Sequence, residues 1–219
     1  MTKADVCRRI TEVGILPAIR VTSRDDAFFV ADTILNGGIP IVEVTMTVPG
    51  ALDVVSSLRA RHPGAVIGAG TVLDATVARH CLDAGAMFIT SPGLDERIVE
   101  ATHQGNVAAI PGALTPSEVM SALTAGADMI KIFPCAPVGG AAYIRALHAP
   151  FPKVHLIASG GVHQQTAVSF IEAGAAALGI GEDLIPHEAV QARKTEWIQE
   201  LAHRFLGMVQ RARGEKANR

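Results

Sequence analysis

The chain has 219 residues, of which 49% are hydrophobic, 18% charged and only 4% aromatic, enough to bury a large core within one domain. Nineteen Lys and Arg against 21 Asp and Glu leave a formal charge of -2, with basic residues clustered only in the C-terminal tail, so neither nucleic acid nor a membrane surface is an expected partner. Cys7, Cys81 and Cys135 are odd in number, far apart and in no CxxC spacing, which excludes a disulfide scaffold and an ordinary structural zinc site and points to a reducing cytoplasm.

The polar start Met1-Thr2-Lys3-Ala4-Asp5 does not read as a signal peptide, and no apolar run reaches the roughly 18 residues of a membrane span. Lys3–Val13 reads instead as a helix ahead of the first strand. From there short apolar runs alternate with longer amphipathic ones, the pattern of βα units. Strands are predicted over Leu16–Val21, Ile39–Thr45, Val66–Ala69 and Met87–Thr90, then over Val107–Ile110, Met129–Phe133, Val154–Ala158 and Ala176–Ile180. The intervening helices are Asp25–Asn36, Gly50–Arg61, Asp74–Ala84 and Glu96–Gln104, then Pro116–Ala125, Ala141–Leu147 and Gln164–Glu172. Thr195–Arg213 reads as a long amphipathic helix whose Leu201, Phe205 and Met208 pack inward. Gly214–Arg219 is a charged tail expected to fray.

Runs of Asn36-Gly37-Gly38, Ala84-Gly85-Ala86, Ala125-Gly126-Ala127 and Ala173-Gly174-Ala175 each close a helix and lead into a strand. A glycine there supplies the left-handed conformation that stops a helix, and the marks recur every 41 to 48 residues, or two βα units. Both faces of the strands are apolar, as in a parallel sheet covered by helices. Eight strands in about 200 residues is the smallest size for a closed (β/α)8 barrel, a TIM barrel, with an extra N-terminal helix that could plug its bottom. An open doubly wound sheet is disfavoured, because no G-x-G-x-x-G follows the first strand.

Lysines number five, and only Lys131 sits inside an apolar strand, in Met129-Ile130-Lys131-Ile132-Phe133-Pro134. Burying a charged lysine in a barrel is costly, and a neutral amine is a usable nucleophile. Glu43 is the one charge in Ile41-Val42-Glu43-Val44-Thr45, and Arg20 repeats the pattern on the first strand. A cation, an anion and an amine thus end three strands, where barrel active sites lie. All three are expected to be buried and to converge on one pocket. Gly68-Ala69-Gly70-Thr71 leaves room for a ligand beside the Thr71 hydroxyl. Ser159-Gly160-Gly161-Val162 and Gly179-Ile180-Gly181 follow the seventh and eighth strands, where barrels commonly bind phosphate on backbone N–H groups. The eight histidines show no metal-ligand spacing, and Cys135 near the mouth lacks a catalytic partner in the sequence.

Taken in order, Glu43-Val44-Thr45-Met46-Thr47-Val48-Pro49, Gly68-Ala69-Gly70-Thr71-Val72, Ser91-Pro92-Gly93, Pro111-Gly112 with Thr115-Pro116-Ser117-Glu118, Lys131-Ile132-Phe133-Pro134 and Gly160-Gly161-Val162 form a specific set. With them the chain closely resembles, from about Gly14 to Pro186, the 2-keto-3-deoxy-6-phosphogluconate (KDPG) and 4-hydroxy-2-oxoglutarate (KHG) aldolases. The resemblance implies a class I aldolase on a (β/α)8 barrel that needs no metal or other cofactor, assembles as a homotrimer and acts on a small 2-keto acid. It also implies that Lys131 is the Schiff-base lysine, Glu43 the general acid/base and Thr71 a ligand of the pyruvate carboxylate. Arg20 then stands in for an arginine that other members carry at the position of Thr47. Pro92, Phe133, Gly160, Gly161 and Gly181 fall on the substrate side.

The phosphate end departs from that pattern. Where such aldolases have serine after the eighth-strand G-x-G this chain has Glu182 and then Asp183, and their P-T-G-G is Ala158-Ser159-Gly160-Gly161. A carboxylate 4 Å from a phosphate charge is unfavourable by about 4 kcal/mol at an effective dielectric of 20. An unphosphorylated 2-keto-3-deoxy sugar acid is therefore an alternative substrate. A barrel isomerase or epimerase using Glu43 as base, and a barrel that binds without catalysis, are the other readings to be separated.

Overall fold

The computed structural model describes residues 1–217, with side chains through Gly214. Helix α1 (Lys3–Val13) is followed by strand β1 (Ile15–Ile19), helix α2 (Arg24–Asn36), β2 (Ile41–Thr45), α3 (Ala51–Arg61) and β3 (Val66–Gly70). Next come α4 (Ala75–Asp83), β4 (Phe88–Thr90), α5 (Glu96–Gln104), β5 (Ala108–Ile110), β6 (Gly112–Ala113) and α6 (Pro116–Thr124). The last third holds β7 (Ile130–Ile132), a 3-10 turn (Ala136–Val138), α7 (Gly140–His148), β8 (Leu156–Ser159), α8 (Ala167–Glu172) and β9 (Ala177–Ile180). Helices α9 (His187–Gln191) and α10 (Thr195–Ala217) end the described chain.

All strand pairs are parallel, in the order β5-β4-β3-β2-β1-β9-β8-β7-β6. Only Pro111 separates β5 from β6, so the two ends of that order are one strand and the sheet closes on itself. The fold is a (β/α)8 barrel with an added N-terminal helix, as expected. Pro111 breaks the fifth strand because it has no N–H to give the ladder, while its carbonyl still accepts from the Lys131 amide at 2.9 Å.

Local signals explain where helices begin. Thr2 and Thr115 form capping boxes, and the side chains of Ser23, Asp74 and Asp95 accept from first-turn amides, each worth about 1 kcal/mol. Of the four glycine marks, Gly85, Gly126 and Gly174 have positive φ, but at the first it is Gly38 rather than Gly37 that turns left-handed. Most boundaries shift by one or two residues from the expected ones, and three differences have consequences. Helix α8 starts at Ala167 instead of Gln164, because the Thr166 hydroxyl accepts from the His163 amide and holds a turn there. Helix α10 runs on through Gly214 to Ala217, and residues 218 and 219 of the expected tail lie outside the described residues. Strand β1 ends at Ile19, leaving Arg20 as the first residue beyond it.

Leu201 and Phe205 of α10 are buried and Met208 packs on the same core. Arg213 ties that helix to the barrel bottom by donating to the carbonyls of Glu12 (2.6 Å), Thr11 (2.6 Å) and Ala176 (3.0 Å). Asp128, ahead of β7, does the same for α1. It accepts from Lys3 Nζ at 3.0 Å, the Ala109 amide at 2.9 Å and His103 Nε2 at 3.1 Å. Burial opposes its charge, but these donors outweigh that and hold its carboxyl below the usual carboxylate range. Asp128→Asn should therefore cost about 1–3 kcal/mol near neutral pH, the scale of a hydrogen-bonded charge. A native carboxyl with a lowered pKa contributes stability above its unfolded value and loses it as pH falls toward the native value. In thermal melts the gap between wild type and variant should shrink below about pH 4; a constant gap would show that the carboxylate charge is irrelevant.

Candidate active site

Glu43 lies in the middle of β2, and its register partner on β3 is Gly68. Phe88, at the start of β4, fills the space that a side chain at Gly68 would need. One step up, Thr45 pairs with Gly70, and an added Cβ at Gly70 would fall on the Glu43 carboxylate and against Thr90 Oγ1. The two glycines are thus what lets a carboxylate and an aromatic ring share a narrow barrel interior. Glu43 is 1% exposed and Lys131, on β7 across the barrel, is 9% exposed.

Lys131 Nζ is 3.9 Å from Glu43 Oε1, an ion-pair contact too long for a hydrogen bond. Consistently, Glu43 Oε1 has no hydrogen-bond partner. Lys131 Nζ also lies 5.7 Å from the Phe133 ring centroid. A primary amine and a carboxylate that face each other without being locked together can do carbonyl addition and proton transfer in one place.

Above them opens a cavity of about 740 Å³ at the C-terminal ends of the strands. Lys131, Phe133, Pro92, Thr71 and Arg20 line one part of it, and Gly160, Gly161 and Gly181 another. Glu43 sits beneath the lining, next to Lys131. One expectation is corrected here: Arg20 is exposed rather than buried, because β1 stops before it and leaves its side chain in the loop at the mouth. Thr71 has φ +57, a conformation that costs a β-branched residue of order 1–3 kcal/mol and is held where a site needs it.

The loop after β8 is shaped by close approach. Gly160 and Gly161 have φ +83 and +86, and a Cβ on Gly161 would overlap the Ala136 methyl. Their amides donate to no protein acceptor among the described residues, while the Gly160 carbonyl accepts from the Ala136 amide at 3.0 Å and from Cys135 Sγ at 3.2 Å. Burial pushes the Cys135 thiol up to about 11, so it is an anchor for this loop and no nucleophile. Glu182 and Asp183 line the same end of the cavity and are exposed. His187, opening α9, also lines it; its position past the eighth strand is the signal in the sequence, and metal-ligand spacing does not detect it. Ser159 and Thr47 reach the lining as well, Thr47 bonded to the Thr45 hydroxyl at 2.7 Å.

A second cavity of about 700 Å³ lies at the other end of the barrel, beside α1. Its charged groups are already engaged, Lys3 with Asp128, Arg8 with Asp5 and Arg213 with three carbonyls.

The Gly70 notch gives a direct test of this geometry. Gly70→Ala forces Glu43 and Thr90 aside and should destabilise by about 1–3 kcal/mol, as overpacked cores do. Gly93→Ala, on the neighbouring loop with nothing within 4 Å, should stay within about 0.5 kcal/mol of wild type. Equal melting temperatures for the two variants would mean that the Glu43 side chain does not occupy the notch.

Known proteins resemble this chain in sequence and in fold. A family model described as KDPG and KHG aldolase matches residues 6–201. The 2-dehydro-3-deoxy-phosphogluconate aldolase of Pseudoalteromonas atlantica is 33% identical over 188 residues, covering 86% of this chain and 87% of that one. The KHG/KDPG aldolase of Escherichia coli K12 is 31% identical over 193 residues, covering 88% and 91%. The crystal structure of a KDPG aldolase from Legionella pneumophila, with pyruvate captured as a covalent carbinolamine intermediate, superposes with a TM-score of 0.81 at 30% identity over 90% of this chain and 95% of that one. On its fold, its strand-end residues and these matches, the chain belongs to the KDPG and KHG aldolase family of class I pyruvate aldolases.

Proposed function

We propose that this protein is a carbon–carbon lyase that cleaves a 4-hydroxy-2-keto acid, of the KDPG or KHG type, to pyruvate and an aldehyde. The observation that carries the reading is Lys131 Nζ facing the buried Glu43 carboxylate at 3.9 Å beneath the cavity. The Lys131 amine adds to the C2 ketone, and loss of water leaves an iminium. Glu43, directly or through a water, takes the C4 hydroxyl proton, and the C3–C4 bonding pair moves into the iminium as the aldehyde departs. The enamine that remains takes a proton at C3 with the help of Glu43, and water then frees pyruvate and the amine. Arg20 and Thr71 hold the substrate carboxylate, which aligns the ketone with Lys131. Pro92 and Phe133 wall the reacting end, and Gly160, Gly161 and Gly181 receive the far end of the substrate.

Within this reading the whole chain is a single aldolase domain, working in the cytoplasm, which three free thiols favour. It assembles as a homotrimer, and exposed Leu73, Met120, Leu123 and Val138 supply apolar surface that self-association would cover. No described helix is long and apolar enough to cross a membrane.

Borohydride reduction in the presence of pyruvate, read by peptide mass, tests the chemistry. Wild type should carry a reduced pyruvyl adduct on Lys131, and Lys131→Met none. Glu43→Gln should still trap pyruvate while its kcat falls about 10²–10⁴-fold, the usual share of a general acid/base. Folded wild type that forms no adduct would end the Schiff-base reading.

At the far end, Glu182 and Asp183 line the cavity where a phosphate would come. Because both are exposed, their repulsion is screened to about 0.2–1 kcal/mol, well below the buried limit. We propose that phosphate adds little affinity here and that unphosphorylated substrates compete well. Glu182→Ser should lower KM for KDPG by up to about fivefold and leave 4-hydroxy-2-oxoglutarate unchanged, since only uniform binding is altered. A wild type that already prefers KDPG several hundredfold in kcat/KM, with no response to Glu182→Ser, would show that these carboxylates face away from the ligand.

A further inference from the structure

We infer that Thr90 is a positioning residue for Glu43, its hydroxyl holding the carboxylate, directly or across one water, in the orientation that the proton transfers require. The inference rests on the aldolase reading above. Thr90 ends β4 with 0% exposure, and its Oγ1 has no hydrogen-bond partner. Glu43 Oε1 is also buried without one. The β3–β4 register, Ala69 against Ile89, sets Gly70 beside Thr90, and both unpartnered oxygens crowd the one point where a Gly70 Cβ would stand. The other hydroxyl flanking Gly70 is committed, because Thr45 Oγ1 donates to the Ile19 carbonyl at 2.8 Å and bonds Thr47.

Packing alone does not call for threonine at this position. Valine has nearly the same shape and the same preference for strands, and it would bury no polar atom. A buried hydroxyl left unpaired costs about 1–3 kcal/mol, so its presence asks for a partner, and Glu43 Oε1 is the acceptor at hand. The match is chemical as well as spatial. A hydroxyl donates to an ionised carboxylate and accepts from a protonated one by rotating about a single bond. Glu43 must pass between those two states in every turnover, taking a proton from C4–OH and returning one to C3, so a partner that serves both keeps its orientation constant.

The test uses Thr90→Val and Thr90→Ser in the intact protein. Three readouts are needed: borohydride trapping of pyruvate on Lys131, steady-state cleavage, and exchange of the pyruvate methyl protons for deuterium in D2O. Trapping does not depend on Glu43 orientation, whereas exchange does. In Thr90→Val the trapped fraction and KM should match wild type, while kcat and methyl exchange both fall about tenfold, equivalent to about 1.4 kcal/mol. Thr90→Ser, which restores the hydroxyl without the methyl, should recover exchange to within about threefold of wild type. Exchange at the wild-type rate in Thr90→Val overturns the inference, as does Thr90→Ser being as slow as Thr90→Val, since the loss would then come from packing. A wild type that traps no pyruvate is a different failure, that of the aldolase reading itself.

Discussion

A carboxylate and an amine buried together inside a closed parallel barrel are the constraint around which the rest is arranged. Removing two charges from water costs several kcal/mol per ion even after relaxation, and a gap of 3.9 Å without a hydrogen bond returns little of it. Such a pair is poor as a structural device. Its surroundings have the character of a support: Gly68 and Gly70 surrender their side chains, Phe88 fills the level of Glu43, and Thr90 brings a free hydroxyl to the same notch. Active sites are where strain and unmet polar groups are tolerated because the surrounding fold over-determines them.

The barrel also explains why the chemistry is divided among distant segments. Each parallel strand ends at the same face, so residues 43, 71, 92, 131 and 160 meet without being neighbours in sequence. Loops after those strands are then free to differ in rigidity. The Gly160–Gly161 turn is pinned by Cys135 and Ala136, which spends a nearby thiol on geometry. Its buried S–H, raised to about 11, makes that thiol a poor nucleophile on that side of the cavity.

Much of this is legible in the sequence, for physical reasons that differ by residue. Lys131 and Glu43 stand out because a charge inside an apolar parallel strand has no solvent to face. The strands themselves are readable from short apolar runs and glycine stops, and all eight are placed, although Pro111 divides the fifth. Arg20 reads as buried when β1 is extended to Val21; the strand stops at Ile19, and that end point decides whether the guanidinium lies in the core or at the mouth. His187 and the α9 turn escape because nothing periodic marks a five-residue helix. Gly70 reads as room for a ligand, whereas the Glu43 carboxylate fills that room, and Thr90 is not marked at all, for a deeper reason. Their meaning is the volume one leaves and the other borders, and pairwise space between β3 and β4 has no signature along the chain.

The two ends of the cavity therefore obey different electrostatics, and this shapes what the enzyme can vary. At the closed end, beside Lys131 and Glu43, low exposure makes any change of charge or volume large in energy, since neither solvent nor side-chain motion can relax it. At the open end, Glu182, Asp183 and His187 line the cavity, all of them exposed. Water and salt screen them, and exchanging one costs fractions of a kcal/mol up to about one. In the proposed reaction, the chemistry common to all 2-keto acids, addition at C2 and proton transfer at C3 and C4, falls on the end where substitution costs most. The group that distinguishes one substrate from another reaches the end where it costs little. A change at Glu182, exposed at that end, is therefore expected to act on the far part of a substrate while leaving the buried Lys131–Glu43 pair untouched.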